Sequence, residues 1–108
     1  MNPTYKVFLR SEFVKKDGSI PIYLRIVINR KKKDYSLGVS IWDPEKYWDV
    51  SQKRVKRCTF VNMPYINGTI EDAETKAGDA IRELNRNHEP LTISAFDKRY
   101  RNPAEIKD

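Results

Sequence analysis

The chain has 108 residues, 39% hydrophobic and 33% charged, which provides one compact domain with one modest core under a highly charged surface. No run of about 18 apolar residues is present, so a membrane span is excluded, and Met1-Asn2-Pro3-Thr4-Tyr5-Lys6 lacks the apolar stretch of a signal peptide. The single Cys58 has no internal disulfide partner and no CxxC spacing, and a cytoplasmic location is expected.

The net charge of +6 is unevenly placed. Residues 1–60 hold 14 Lys/Arg and 6 Asp/Glu, a net +8, whereas residues 61–108 hold 7 and 9, a net −2. Asymmetry of this kind suggests a nucleic-acid or anionic-membrane partner. An aromatic content of 11% argues against a disordered chain.

In chain order, Tyr5 to Arg10 alternates with period two and is read as a strand. Lys15-Lys16-Asp17-Gly18 is a turn, because Gly tolerates positive φ and Asp caps locally. A second strand covers about Pro21 to Asn29, with Ile22, Leu24, Ile26 and Ile28 on one face and Tyr23, Arg25, Val27 and Asn29 on the other. Pro21 cannot donate to a ladder, so it belongs at a strand start or an exposed edge. Arg30, Lys31, Lys32 and Lys33 form a basic hairpin tip, and a third strand runs from about Lys33 to Ser40.

Such a small sheet needs a cover. Ile66, Ile70, Ala73, Ala77, Ile81 and Leu84 recur at spacings of three and four, which predicts an amphipathic helix. Thr69 and Asp72 have capping-box-like spacing, and a start nearer Met63-Pro64 is the alternative, with Gly68 then inside the helix. The helix should end near Asn87, before Pro90. Between sheet and helix, Asp43-Pro44 starts a turn and at least Trp48 should cap the core edge; Lys53-Arg54-Val55-Lys56-Arg57 is a second basic cluster. Residues 92–101 could form a short helix capped by Thr92 or Ser94, with Phe96 and Tyr100 on one face. The expected fold is α+β, a three-stranded antiparallel sheet packed on one main helix with a short C-terminal helix. Residues 1–90 are read as one domain, and 91–108 as a linker and the start of another.

No catalytic, metal or cofactor site is expected. His88 is the only histidine and sits at a helix end, and Cys58 has no nearby His to activate it. Asp43, Glu45 and Asp49 lack the calcium-loop pattern, and there is no phosphate-binding glycine loop. The basic positions read differently. A narrow sheet can enter a DNA major groove, with Arg25 and Tyr23, and Lys6 and Arg10 if Val7 and Leu9 point inward, meeting base edges. Lys15, Lys16, Arg30, Lys31, Lys32 and Lys33 suit phosphate contacts. The plain alternative is that strand cations only blunt sheet edges. Two other functional readings stay open: an RNA-binding module with Tyr23 and Phe8 as a stacking platform, and a protein-interaction module using an edge strand.

The order of a strand, Lys15-Lys16-Asp17-Gly18, Pro21-Ile22-Tyr23-Leu24-Arg25-Ile26, a basic turn, Ser36-Leu37-Gly38-Val39, Trp48-Asp49 and Arg54-Val55-Lys56 resembles the N-terminal arm-type DNA-binding domain of tyrosine recombinases, the integrases of Bacteroides-type conjugative transposons and phages. The resemblance covers about Tyr5 to Tyr100 and implies binding of arm-type sites on duplex DNA by a sheet in the major groove. It implies Arg10, Tyr23, Arg25 and the cations at 30–33 as DNA-facing residues. The family's frequent Asn-Gly turn is Asn29-Arg30 here, and its usual Thr before the glycine is Leu37. The recombinase's Arg-His-Arg-Tyr catalytic constellation is not in this sequence, so the chain should bind and not cut. It is expected to be a monomer by itself, with assembly of the parent recombinase on DNA left open.

Overall fold

The computed structural model describes residues 3–56 and 63–101. Strands β1 (Thr4–Leu9), β2 (Ile20–Ile28) and β3 (Lys31–Ile41) form one antiparallel sheet in the order β1-β2-β3. A short helix α1 (Pro44–Tyr47) and a two-stranded ribbon of β4 (Trp48–Asp49) and β5 (Arg54–Val55) follow. The long helix α2 (Met63–Arg86) and the shorter α3 (Ile93–Arg101) complete the α+β fold. The main sheet and both longer helices agree with the sequence reading; α1 and the β4–β5 ribbon were not anticipated by it.

Alternation along β2 decides which side is covered. Ile22, Leu24, Ile26 and Ile28 are buried, while Tyr23, Arg25 and Val27 are only half-buried on the opposite face. Val7, opposite Leu24, joins the inner face, and so does Tyr35 from β3. The inner face is closed by Ile66, Ile70, Ala77, Ala80 and Leu84 of α2, with Phe96 and Tyr100 of α3. Small Ala73, Ala77 and Ala80 are all buried along the helix, consistent with close approach to the sheet. Ile81, expected in that stripe, is only partly buried, and Ala80 takes the inward position instead.

The connections carry the unusual backbone. Asn29 and Arg30 both have positive φ, 55° and 68°, and join Ile28 directly to its partner Lys31. This is the left-handed pair that a two-residue hairpin needs, achieved with Arg where Gly is usual. The tip therefore holds Arg30 alone; Lys31, Lys32 and Lys33 lie within β3, which begins two residues earlier than the sequence reading placed it. At the other end, Gly18 has φ 88°, and Asp17 Oδ1 accepts hydrogen bonds from the Ser19 amide and hydroxyl. Between the pairs Pro21–Ser40 and Tyr23–Ser36, one β2 residue faces three of β3, and Gly38 absorbs the bulge at φ 77°. Pro21 thus sits in the central strand, near its start, beside an interrupted ladder, and not on a sheet edge.

Helix α2 starts at Met63, so the capping-box start at Thr69 is not used: the Thr69 hydroxyl donates to the Tyr65 carbonyl within the helix. The helix ends with His88 at φ 57°, its amide donating to Asn85 O, while the Glu89 amide reaches back to Leu84 O. His88 is thereby a left-handed C-terminal cap, a position commonly taken by Gly. Thr92 caps α3, its Oγ1 accepting from the Ala95 amide. Trp48 is buried, as expected, whereas Trp42 is nearly half exposed and donates its indole N–H to Asp17 O. Cys58 and Arg57 lie outside the described residues.

Helix α3 is tied into the same core as the sheet. Phe96 is fully buried, its ring 5.5 Å from Tyr100 and 6.2 Å from Tyr35. The Tyr35 hydroxyl donates to Asp97 at 2.7 Å, and Arg99 is buried against Glu89 and Glu83. Phe96→Ala should therefore destabilise the whole domain by about 3–5 kcal/mol in urea unfolding. A variant as stable as the parent would show that α3 folds apart from the sheet.

Candidate nucleic-acid interface

The sheet's outer face is built by cross-strand pairing. Lys6 lies opposite Arg25 and Phe8 opposite Tyr23 on the β1 side; Asp34 lies opposite Arg25, Ser36 opposite Tyr23, and Lys32 opposite Val27 on the β3 side. Directly opposed residues share a face. Lys6, Tyr23, Arg25 and Lys32 consequently stand together on the side away from α2. The condition that Val7 point inward is met, and Arg10, just past β1, joins this face through its contacts with Tyr23 and Asp34.

Two arginines on this face converge on one carboxylate. Arg25 Nε donates to Asp34 Oδ1 at 2.7 Å and its Nη2 to Oδ2 at 3.1 Å; Arg10 Nη1 donates to Oδ2 at 2.5 Å. Glu12 stands 3.4 Å from Arg10 Nε. The hydrogen bond from Arg25, aided by that from Arg10, holds the Asp34 carboxyl below the usual Asp range against the opposing effect of burial, and the same bond raises the Arg25 pKa. Aromatic rings support the guanidinium groups. Arg25 lies 4.6 Å from the Phe8 centroid, and Arg10 lies 4.8 Å from Tyr23 and 4.9 Å from Phe13. Phe8 and Tyr23 are 6.1 Å apart. The two guanidinium groups are balanced by Asp34 and Glu12 and have their side chains fixed in place, and the surplus positive charge of this face comes from Lys6 and Lys32, which make no ion pair among the described residues.

The remaining cations fall in three places. Lys15 and Lys16 are exposed at the β1–β2 turn. Arg30 is exposed at the opposite end, beyond the nine residues of β2, a separation of roughly 30 Å. Lys31 and Lys33 pair with Ile28 and Ile26 and so belong to the inner row, apart from Lys32. Lys33 Nζ is 3.8 Å from Asp97 and 5.9 Å from the Tyr35 centroid. In the second basic cluster, Arg54 is bound by Glu74 at 2.8 Å. Among the described residues no group of three or more His, Cys, Asp and Glu is placed to hold a metal ion, and no helix is long and apolar enough to cross a membrane.

Asp34 was missed by the sequence reading. The signal was available: a two-residue turn at Asn29-Arg30 forces residue 34 opposite residue 25. Asp34→Asn should lower stability at pH 7 by about 1–3 kcal/mol, since two charged hydrogen-bond partners lose their counter-charge. Because the folded Asp34 pKa is lowered, its contribution is present above the ordinary Asp pKa and is lost as pH falls through the folded value. The gap between variant and parent in thermal melts should close on acidification; a gap independent of pH would contradict the ion-pair account.

Comparison with known proteins adds the family. No curated protein and no solved structure matches the chain. Residues 7–97 match the family described as the Arm DNA-binding domain. That span runs from the inward Val7 of β1 to Asp97 of α3 and includes Arg10, Tyr23, Arg25, Lys32 and Asp34 of the outer face, but not Lys6. The chain belongs to the Arm DNA-binding domain family.

Proposed function

We propose that this domain binds arm-type sites on duplex DNA sequence-specifically, as the N-terminal part of a tyrosine recombinase of a mobile element, of the Bacteroides integrase type. In this reading the outer face of the sheet lies in the major groove. The observation that carries it is the division of the sheet: the aliphatic face is covered by α2 and α3, and among the described residues no helix or strand covers the face bearing Lys6, Arg10, Tyr23, Arg25 and Lys32. Three strands spaced about 4.8 Å apart span roughly 10 Å between outer strand axes, which suits a groove about 12 Å wide.

Roles divide by position. Arg25 and Arg10, held by Asp34, are the candidates for base edges, since a fixed guanidinium can donate two parallel hydrogen bonds to guanine. Tyr23 flanks them. Lys6, Lys32, Arg30, Lys15 and Lys16 supply phosphate contacts along the sheet and at its two ends. Lys31 and Lys33 contribute from the inner row, near the hairpin, through long-range charge. The domain works in the cytoplasm and binds without cutting. It is a monomer when alone, residues 91–108 serve as the linker and start of a core-binding domain even though α3 packs on the sheet, and assembly of the parent recombinase on DNA is left open. The RNA reading is weaker, because Arg10 and Arg25 already lie against the Phe8 and Tyr23 rings that single-stranded bases would need.

Fluorescence anisotropy with duplex oligonucleotides tests this. If about five phosphates are neutralised, log K against log salt should fall with a slope near −4 to −5. Arg25→Ala should weaken binding to a selected site by about 1–3 kcal/mol and relax sequence preference, whereas Lys32→Ala should weaken all sequences about equally. A flat salt response, or tighter binding to single-stranded RNA, would reject the proposal.

A further inference from the structure

A second cationic feature stands beside the open edge of β3. An open cleft of about 630 Å³ is lined there by Asp34, Tyr35 and Ser36 of β3, Lys76 of α2, and Tyr100 and Arg101 of α3. Three elements distant in sequence thus bring two cations to one edge of the sheet. Lys76 Nζ lies 4.6 Å from the Tyr100 ring centroid, and among the described residues no carboxylate stands within ion-pair distance of it. The Arg101 guanidinium gives its Nε hydrogen bond to Asp97 at 2.8 Å and lies 5.5 Å from the Tyr35 centroid, with more than half the side chain exposed. Its other N–H donors make no hydrogen bond among the described residues. Ser36 is exposed, with its hydroxyl oxygen accepting from the Gly38 amide at 3.3 Å and its own proton available to donate.

The two carboxylates near the cleft do not make it repel anions. Asp34 is bound by Arg10 and Arg25, and Asp97 is matched by Arg101, Lys33 and the Tyr35 hydroxyl. The Tyr35 hydroxyl itself is committed to Asp97, so it does not serve as a donor to a ligand. With Glu12 beside Arg10, five cations face three carboxylates; Lys76 has no carboxylate within ion-pair distance among the described residues, and Arg101 shares Asp97 with Lys33.

We propose that this cleft holds one phosphate of the sugar–phosphate backbone alongside the groove that the sheet occupies. Lys76 and Arg101 supply the charge and Ser36 a hydroxyl donor. The proposal rests on duplex binding by the outer face. A sheet lying in a groove has its edges against the two phosphate rows, and β3 is such an edge. Helices α2 and α3 then do more than cover the core: each contributes a cation to hold the DNA beyond the groove wall, where contact fixes register without reading bases.

The test uses the full 108-residue chain, a labelled duplex and a salt series. Lys76→Gln and Arg101→Gln should each weaken binding about 3–10-fold on every duplex sequence, and the double variant should make the salt slope shallower by about one. Sequence preference should stay as in the parent. Steep, salt-dependent binding by the parent with no change in affinity or slope in the variants overturns the cleft and leaves the outer-face reading intact. A parent with no duplex affinity overturns that reading itself. Should a variant fail to fold, the side-chain NMR signals of Lys76 Nζ and Arg101 Nε in the unmodified chain decide instead. They should shift on adding duplex; signals that respond to inorganic phosphate alone and not to duplex overturn the assignment to backbone phosphate.

Discussion

The structure depends on one constraint, the period-two alternation of the central strand β2. A strand sends successive side chains to opposite faces, so Ile22, Leu24, Ile26 and Ile28 cannot be buried without turning Tyr23, Arg25 and Val27 the other way. The four aliphatics then require a cover, which α2 and α3 provide with Ile, Ala, Leu and aromatic side chains. Because both longer helices pack on that side, the opposite face is left with the arginines and lysines. A one-residue slip would bury Arg25 under α2 and expose the isoleucines, so folding and presentation of the cationic face are fixed by the same register.

Register also explains why the outer face is organised and not simply charged. The two-residue turn at Asn29-Arg30 sets Asp34 opposite Arg25, and the ladder to β1 brings Lys6 alongside. Asp34 then holds Arg10 and Arg25 within hydrogen-bonding distance, and the rings of Phe8, Phe13 and Tyr23 limit where the guanidinium groups can go. Two long, rotamer-rich side chains are thereby ordered before any ligand arrives, which lowers the entropy cost of using them in recognition. Without the carboxylate the same two cations would repel each other and spread.

Much of this was legible in the sequence, for identifiable reasons. The aliphatic alternation of β2 and the three-and-four spacing of α2 are periodic signals, and both elements lie close to where the pattern puts them. Thr92, Phe96 and Tyr100 likewise marked α3. The misreadings were local. Four consecutive cations at 30–33 look like a loop, but Asn29 and Arg30 complete the turn by themselves and the lysines continue the strand, alternating between faces. Of the two starts the pattern allowed for α2, the Thr69–Asp72 spacing is not used and the one near Met63-Pro64 is, with Ile66 buried in the first turn. Pro21 pointed to a strand start or an exposed edge; it is the second residue of β2, in the centre of the sheet, beside the bulge at Gly38. Contacts between distant segments, such as Tyr35 with Asp97 and the cleft joining β3 to α2 and α3, leave no periodic trace and emerge only from the packed chain.

The central claim is that duplex DNA meets the uncovered side of the sheet. Backbone amide chemical-shift mapping on titration with an oligonucleotide duplex tests it most directly. The account predicts the largest shifts at Lys6, Tyr23, Arg25 and Lys32, with the solvent side of α2 around Glu71 and Asp79 unmoved. Shifts confined to α2, with the outer face silent, would contradict it.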